Sequence, residues 1–182
     1  LSPTVHRGLT AKESREIPRA DTLTYEAVPQ LLTKVSEDFL WLAGVCADLG
    51  SKEVNLNTGC PSGTVVSKGK GSGMLRDLGE LDRFLEAIFA GSPLPISVKT
   101  RLGLENPEDF VRLLEVFNRY PIRELTIHPR VRKQFYSGGV DMDTFRYATE
   151  HSRNPLCYNG NLNTPEDIAA FSADFPQIEA VM

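Results

Sequence analysis

Val54-Asn55-Leu56-Asn57-Thr58-Gly59-Cys60-Pro61 decides how the rest of this 182-residue chain is read. Val54 and Leu56 alternate with Asn55 and Asn57 at the period of two that marks a strand. The run halts at Gly59-Cys60-Pro61 and opens into a loop dense in glycine and lysine, Lys68-Gly69-Lys70-Gly71-Ser72-Gly73. A thiol thus stands at the carboxyl end of a strand, beside two asparagine amides. Most cysteines are small buried hydrophobes. This one lies at a strand-to-loop corner, the place where barrel enzymes carry their chemistry. A thiol is mostly protonated at neutral pH, so it donates a proton as well as attacks.

Outward from that strand, the chain alternates strands with helices. Before it, Leu1 to Pro18 reads as a strand end followed by a loop or short helix, and Leu23 to Leu32 as a strand. Ser36 is placed to cap a helix carrying Phe39, Leu42, Ala43, Cys46 and Leu49 at helical spacing, with Gly50 as its stop. After it come a helix over Glu80 to Ala90 and the strand Pro95 to Arg101. Asn106-Pro107 opens a helix with Phe110, Leu113, Leu114 and Phe117 on its buried face. Then follow the strand Leu125 to His128, a basic and aromatic loop from Arg130 to Tyr136, and a helix capped by Asp141. Pro155 to Tyr158 is a strand, Thr164-Pro165 starts a helix, and Ile178 to Met182 is one more strand.

This alternation predicts a parallel α/β sheet. Gln30, Cys60, Lys99, His128 and Asn159 all fall at the carboxyl ends of successive strands. In a closed barrel such residues converge on one mouth, whereas an open sheet spreads them along an edge. The expectation is therefore a TIM-type (β/α)8 barrel, incomplete here, with about six of the usual eight βα units. One domain is expected for the length, and the start at Leu1 and the cut strand at Met182 read as a fragment.

Composition is that of an ordinary globular chain, 41% hydrophobic and 24% charged, with no apolar run long enough for a membrane span. Cys46, Cys60 and Cys157 lack metal-ligand spacing and are odd in number. They point away from zinc and from a disulfide framework, and toward a reducing cytosol. Cys46, on an apolar helix face, reads as inert core. A net charge of −4 does not favour nucleic acid.

Each remaining residue also has a plain reading. Gln30 is either a strand-edge amide or one aimed into the mouth. Lys99 and Arg101 are read as pointing to opposite faces, Lys99 toward a buried anion and Arg101 toward solvent. His128 is either a structural strand-end imidazole or a site residue. Asn159-Gly160-Asn161 is an ordinary turn or a set of backbone N–H groups for an anion. Lys68 to Gly73 lacks the P-loop spacing and reads as a flexible basic loop.

Together these motifs resemble the tRNA-dihydrouridine synthases. Asn55 to Pro61, followed by Val65, Gly69, Gly71, Gly73 and Leu75, looks like that family's signature. Val98-Lys99-Thr100-Arg101-Leu102-Gly103, His128-Pro129-Arg130, Tyr136-Ser137-Gly138 and Asn159-Gly160-Asn161 fall in the family's order, and Pro29-Gln30-Leu31 matches too. The resemblance implies an FMN-dependent oxidoreductase of the cytoplasm, reduced by NADPH, that reduces the C5=C6 bond of a uridine flipped out of tRNA. It assigns Cys60 as the proton donor to C5. It brings Gln30, Lys99 and His128 to the flavin, and Asn159, Gly160 and Asn161 to its ribityl-phosphate end. It brings Asn57, Arg101 and Arg130 to the substrate, and it implies no metal. It further implies that residues 1–182 form a partial barrel. The first strand with its Pro-Met turn, a later Gly-Arg phosphate turn and a helical tRNA-binding domain would then lie outside the chain. Lys68, Lys70, Arg130, Arg132 and Lys133 would be the tRNA-facing cations left here. His128-Pro129-Arg130 departs from the family's commoner His-Gly-Arg, and Asn161 from its commoner Asp. The alternatives are a flavin barrel acting on free pyrimidines, of dihydroorotate or dihydropyrimidine dehydrogenase type, and a non-catalytic RNA-binding scaffold. Reducing a pyrimidine C=C bond needs a hydride that side chains cannot supply, which favours a cofactor.

Overall fold

The computed structural model describes residues 1–17, 19 and 22–182. Among these, six strands form one sheet: β1 (Gln30–Leu31), β2 (Val54–Asn57), β3 (Ile96–Arg101), β4 (Leu125–His128), β5 (Leu156–Tyr158) and β6 (Ala180–Val181). Spatial order equals chain order, and every adjacent pair is parallel. An open doubly wound sheet reverses its order at a switch point; this one never does. It is an arc of a (β/α) barrel, six strands wide. The helices are α1 (Ala11–Glu16), α2 (Ser36–Asp48), α3 (Gly63–Val66), α4 (Leu78–Gly91), α5 (Phe110–Phe117), α6 (Met142–His151) and α7 (Pro165–Asp174).

Period two sorts the strand residues. Leu31, Val54, Leu56, Val98, Leu125 and Ile127 are buried in one apolar cluster with Phe39, Leu42, Leu85, Ile88, Leu114 and Phe145 of the helices. The alternate residues are polar and bond to one another across strands. Gln30 Nε2 donates to Asn55 Oδ1 at 2.8 Å, and Asn55 Nδ2 donates to Ser97 Oγ at 2.9 Å. Register sets Gln30, Asn55 and Ser97 side by side, then Asn57, Lys99, Thr126 and Cys157 one layer higher. The face away from the helices is thus a stack of polar layers, with Gln30, Asn55 and Ser97 of the lower layer bonded across strands and Asn57 joining the two layers through Gln30.

Several local expectations shift. The predicted strand over Leu23 to Leu32 shrinks to two residues, because Pro29 brings no N–H to the ladder. Its carbonyl still accepts from Asn55 N at 2.9 Å. At the chain start, Leu1 N donates to Gln30 O at 2.7 Å and Leu1 O accepts from Leu32 N at 2.8 Å, the bonds of a parallel neighbour to β1. The short helix expected in that segment is α1, capped by Thr10; Pro18 lies outside the described residues. Ser36 is the first residue of α2, not its cap; the cap position is Val35. Asp38, in the first turn of α2, is buried and accepts from Val5 N at 2.8 Å. α4 begins two residues earlier than predicted, where the Asp77 carboxylate accepts from Glu80 N at 2.9 Å. The caps Asp141 and Thr164 hold. No helix among the described residues is long and apolar enough to cross a membrane.

Candidate active site

The turn after β2 is built by one side chain. Asn57 Oδ1 accepts from both Gly59 N, at 3.0 Å, and Cys60 N, at 2.9 Å. Its Nδ2 donates to Gln30 Oε1 at 2.7 Å. Asn57 therefore ties the cysteine corner to β1 below it. From behind, Ser72 donates to Cys60 O twice, through its backbone N at 3.0 Å and its Oγ at 2.9 Å. The segment expected to be a flexible loop is instead folded: Gly71–Arg76 is a 3-10 turn, buried from Gly71 to Leu75. Gly71 sits at φ +56°, and a Cβ there would lie 2.8 Å from Cys60 Cβ. Gly71→Ala should thus cost roughly 1–3 kcal/mol in stability from backbone strain alone. Chemical denaturation measures this, and a loss within about 0.5 kcal/mol, typical of a free surface site, would show that the turn does not brace Cys60.

Asn57, Cys60, Lys99, Arg101, His128, Tyr136 and Asn159 line one cavity of about 290 Å³ at the carboxyl ends of the strands. Among the described residues, no carboxylate lines it. Lys99 and Arg101 are not on opposite faces; two residues apart on a strand they share one, and both face the cavity. Lys99 Nζ donates to Asn159 Oδ1. Burial, and then the nearby Arg101, holds the Lys99 ammonium below its ordinary pKa. Such a cation without an anionic partner is a ready host for negative charge.

Arg101 is not the solvated strand-end cation expected. It is 2% exposed. Its Nε donates to Gly59 O at 2.9 Å, and its Nη1 to Phe135 O at 2.6 Å and Val131 O at 3.4 Å. The guanidinium is a strut between the cysteine turn and the aromatic loop. Its Cζ lies 5.2 Å from the centre of the Tyr136 ring, which is 73% exposed above it. The loop is strained where the strut grips it, with Phe135 at φ 51°.

His128 is 7% exposed, and its pKa falls to about 3, first through burial and then through Arg101, Lys99 and Arg130. An unfolded imidazole titrates near 6.5. Between the two values the unfolded chain holds a proton that the folded chain refuses. Stability is therefore full above the unfolded value and is lost as pH falls toward the folded one. The slope is at most about 1.4 kcal/mol per pH unit, less where solvent screens the ring. Urea unfolding of His128→Gln at about pH 6 and about pH 4.5 should show a shallower loss than wild type, and equal losses would place the acid sensitivity elsewhere.

The other predicted residues fall nearby. Gln30 does not line the cavity; it sits one layer below and acts on it through Asn57. Arg130, expected at the tRNA, is 3% exposed and does not line the cavity. Asn161 is exposed, and its Oδ1 accepts from Arg130 Nη2 at 3.1 Å. Gly160 leaves room for the Tyr158 hydroxyl, which a Cβ would meet at 2.6 Å. Asn159 Nδ2 donates to Met182 O at 2.8 Å, joining β5 to the end of β6. Sequence reading passed over Tyr136 as a site residue, although its place in a basic-aromatic loop was a signal. It had no signal for Ser72 behind the thiol. Cys46 and Cys157 are buried, and burial raises each thiol to about 11.

A dihydrouridine synthase family model matches residues 4–182. A probable tRNA-dihydrouridine synthase of Rhizobium leguminosarum bv. phaseoli is 32% identical over 146 residues, 76% of this chain and 45% of that protein. The tRNA-dihydrouridine synthase B of Proteus vulgaris is 28% identical over 174 residues, 95% of this chain and 53% of its own length. That of Shewanella oneidensis is 29% identical over 135 residues, 73% and 41% respectively. The chain spans about half the length of the curated relatives it matches. The match takes in the cysteine turn, the cationic strand ends and the aromatic loop alike, and on it the chain belongs to the dihydrouridine synthase family.

Proposed function

We propose that the complete protein is a tRNA-dihydrouridine synthase, reducing the C5=C6 bond of a uridine in tRNA. The observation that carries this reading is a single cavity lined, among the described residues, by one thiol, a half-buried lysine, a buried arginine and no carboxylate, at the strand ends of a family barrel. That donor set fits FMN. Lys99 suits an electron-rich, anionic part of a flavin ring, and His128 and Asn159 suit its polar edge. When bound beside Lys99, His128 and Asn159, FMN would supply hydride chemistry for C6, with NADPH as the reductant.

The chain's own residues do the rest. Cys60 Sγ gives a proton to C5 as charge develops there. Asn57 and Ser72 hold the cysteine turn from both sides, so the donor keeps its place through the reaction. Lys99 stabilises negative charge in the mouth. Tyr136, exposed at the rim and steadied by Arg101, offers a face for a base taken out of its stack. Gly160 and Asn161 lie at the ribityl-phosphate end, and the exposed Lys68 and Lys133 face tRNA. A cytoplasmic setting is the one in keeping with work on tRNA.

The test offers the full-length protein unmodified tRNA or free uracil, with NADPH. Dihydrouridine should form in tRNA. Turnover of the free base in preference to tRNA would overturn the assignment.

A further inference from the structure

Arg130 closes the His128-Pro129-Arg130 turn after β4, and its guanidinium is held from several directions. Nε and Nη2 donate to Gly138 O at 3.2 and 2.6 Å, and Nη2 also donates to Asn161 Oδ1 at 3.1 Å. The remaining Nη1 lies 3.0 Å from His128 Nε2. A guanidinium only donates and keeps its protons, so the ring nitrogen opposite must accept. Nε2 then carries no proton. Turning the ring over would set a C–H against the guanidinium N–H and lose the bond. A neutral ring with a bare Nε2 has its proton on Nδ1.

Nδ1 has no partner among the described residues, and it is not sealed from solvent. The ring lines the cavity. The charged groups that face it are Lys99 and Arg101 from β3 and Arg130 from its own turn, with the Tyr136 ring centre at 6.1 Å. All three charges oppose an imidazolium.

We propose that Arg130 is a positioning residue that fixes His128 as the neutral Nδ1–H tautomer, so that the ring presents one directed N–H donor to the cavity. That donor suits an acceptor oxygen or nitrogen on the edge of a planar heterocycle. Only the identity of this acceptor rests on the flavin reading; the tautomer does not.

Long-range ¹H–¹⁵N spectra of the labelled full-length protein at neutral pH read the tautomer directly, with His128→Gln identifying the signals. The expected result is a protonated, pyrrole-type Nδ1 and a bare, pyridine-type Nε2. In Arg130→Met that single-tautomer pattern should be lost to averaged shifts, and Arg130→Lys, which keeps a donor, should restore it at least in part. A wild-type spectrum with Nε2 protonated overturns the proposal, and so does Arg130→Met with an unchanged pattern. If Arg130→Met does not fold, the wild-type and Arg130→Lys spectra decide by the same criterion. An FMN titration alongside separates the two readings: a protein with the Nδ1–H pattern that takes up no FMN overturns the flavin assignment and leaves the tautomer assignment standing.

Discussion

Cys60→Ala in the full-length protein should leave flavin reduction by NADPH intact while dihydrouridine formation falls roughly 10²–10⁴-fold, the range for a lost general acid. The fold should survive, because every bond that builds the corner uses backbone atoms of Cys60 or other side chains. Alanine keeps those atoms and removes only the thiol. Stopped-flow absorbance follows flavin reduction, and nucleoside analysis of the tRNA follows product. Equal losses in the two half-reactions would mean that Cys60 supports the flavin site rather than the proton transfer.

The second large effect is expected at Lys99. In Lys99→Met the FMN dissociation constant should rise about 10- to 100-fold, the equivalent of one charge-assisted hydrogen bond of about 1.5–3 kcal/mol. Two changes in the free protein oppose each other: the bond to Asn159 is lost, and repulsion from Arg101 is relieved. Stability should therefore move far less than binding. Quenching of flavin fluorescence measures the affinity, and thermal unfolding serves as the control. Affinity unchanged within about twofold would remove Lys99 from the flavin's surroundings.

The barrel arc was legible because its signals are local. Val54 to Asn57 alternates cleanly, α4 and α5 carry their apolar residues at helical spacing, and Asp141 and Thr164 cap where their side chains predict. The strand ends that hold Cys60, Lys99, His128 and Asn159 followed from that alternation, and one cavity gathers all four. What was not legible depends on contacts between distant segments. Arg101 reads as a solvated cation until Gly59 and Phe135 are brought to it across 42 and 34 residues. Ser72 bonds Cys60 only because the glycine-rich segment folds back, which a run of glycine and lysine does not announce. Gln30 reads equally as a strand-edge amide or a mouth residue, and only the register of β1 against β2 shows it one layer below the cavity.

In the complete protein this cavity is expected to couple a bound flavin to a uridine of tRNA. Titrating the anaerobic, NADPH-reduced full-length protein with unmodified tRNA tests it most directly. The oxidised flavin absorbance should return in proportion to uridine reduced, one flavin per dihydrouridine formed. Flavin that stays reduced in the presence of tRNA but reoxidises with free uracil would contradict it, as would a protein that takes up no FMN at all.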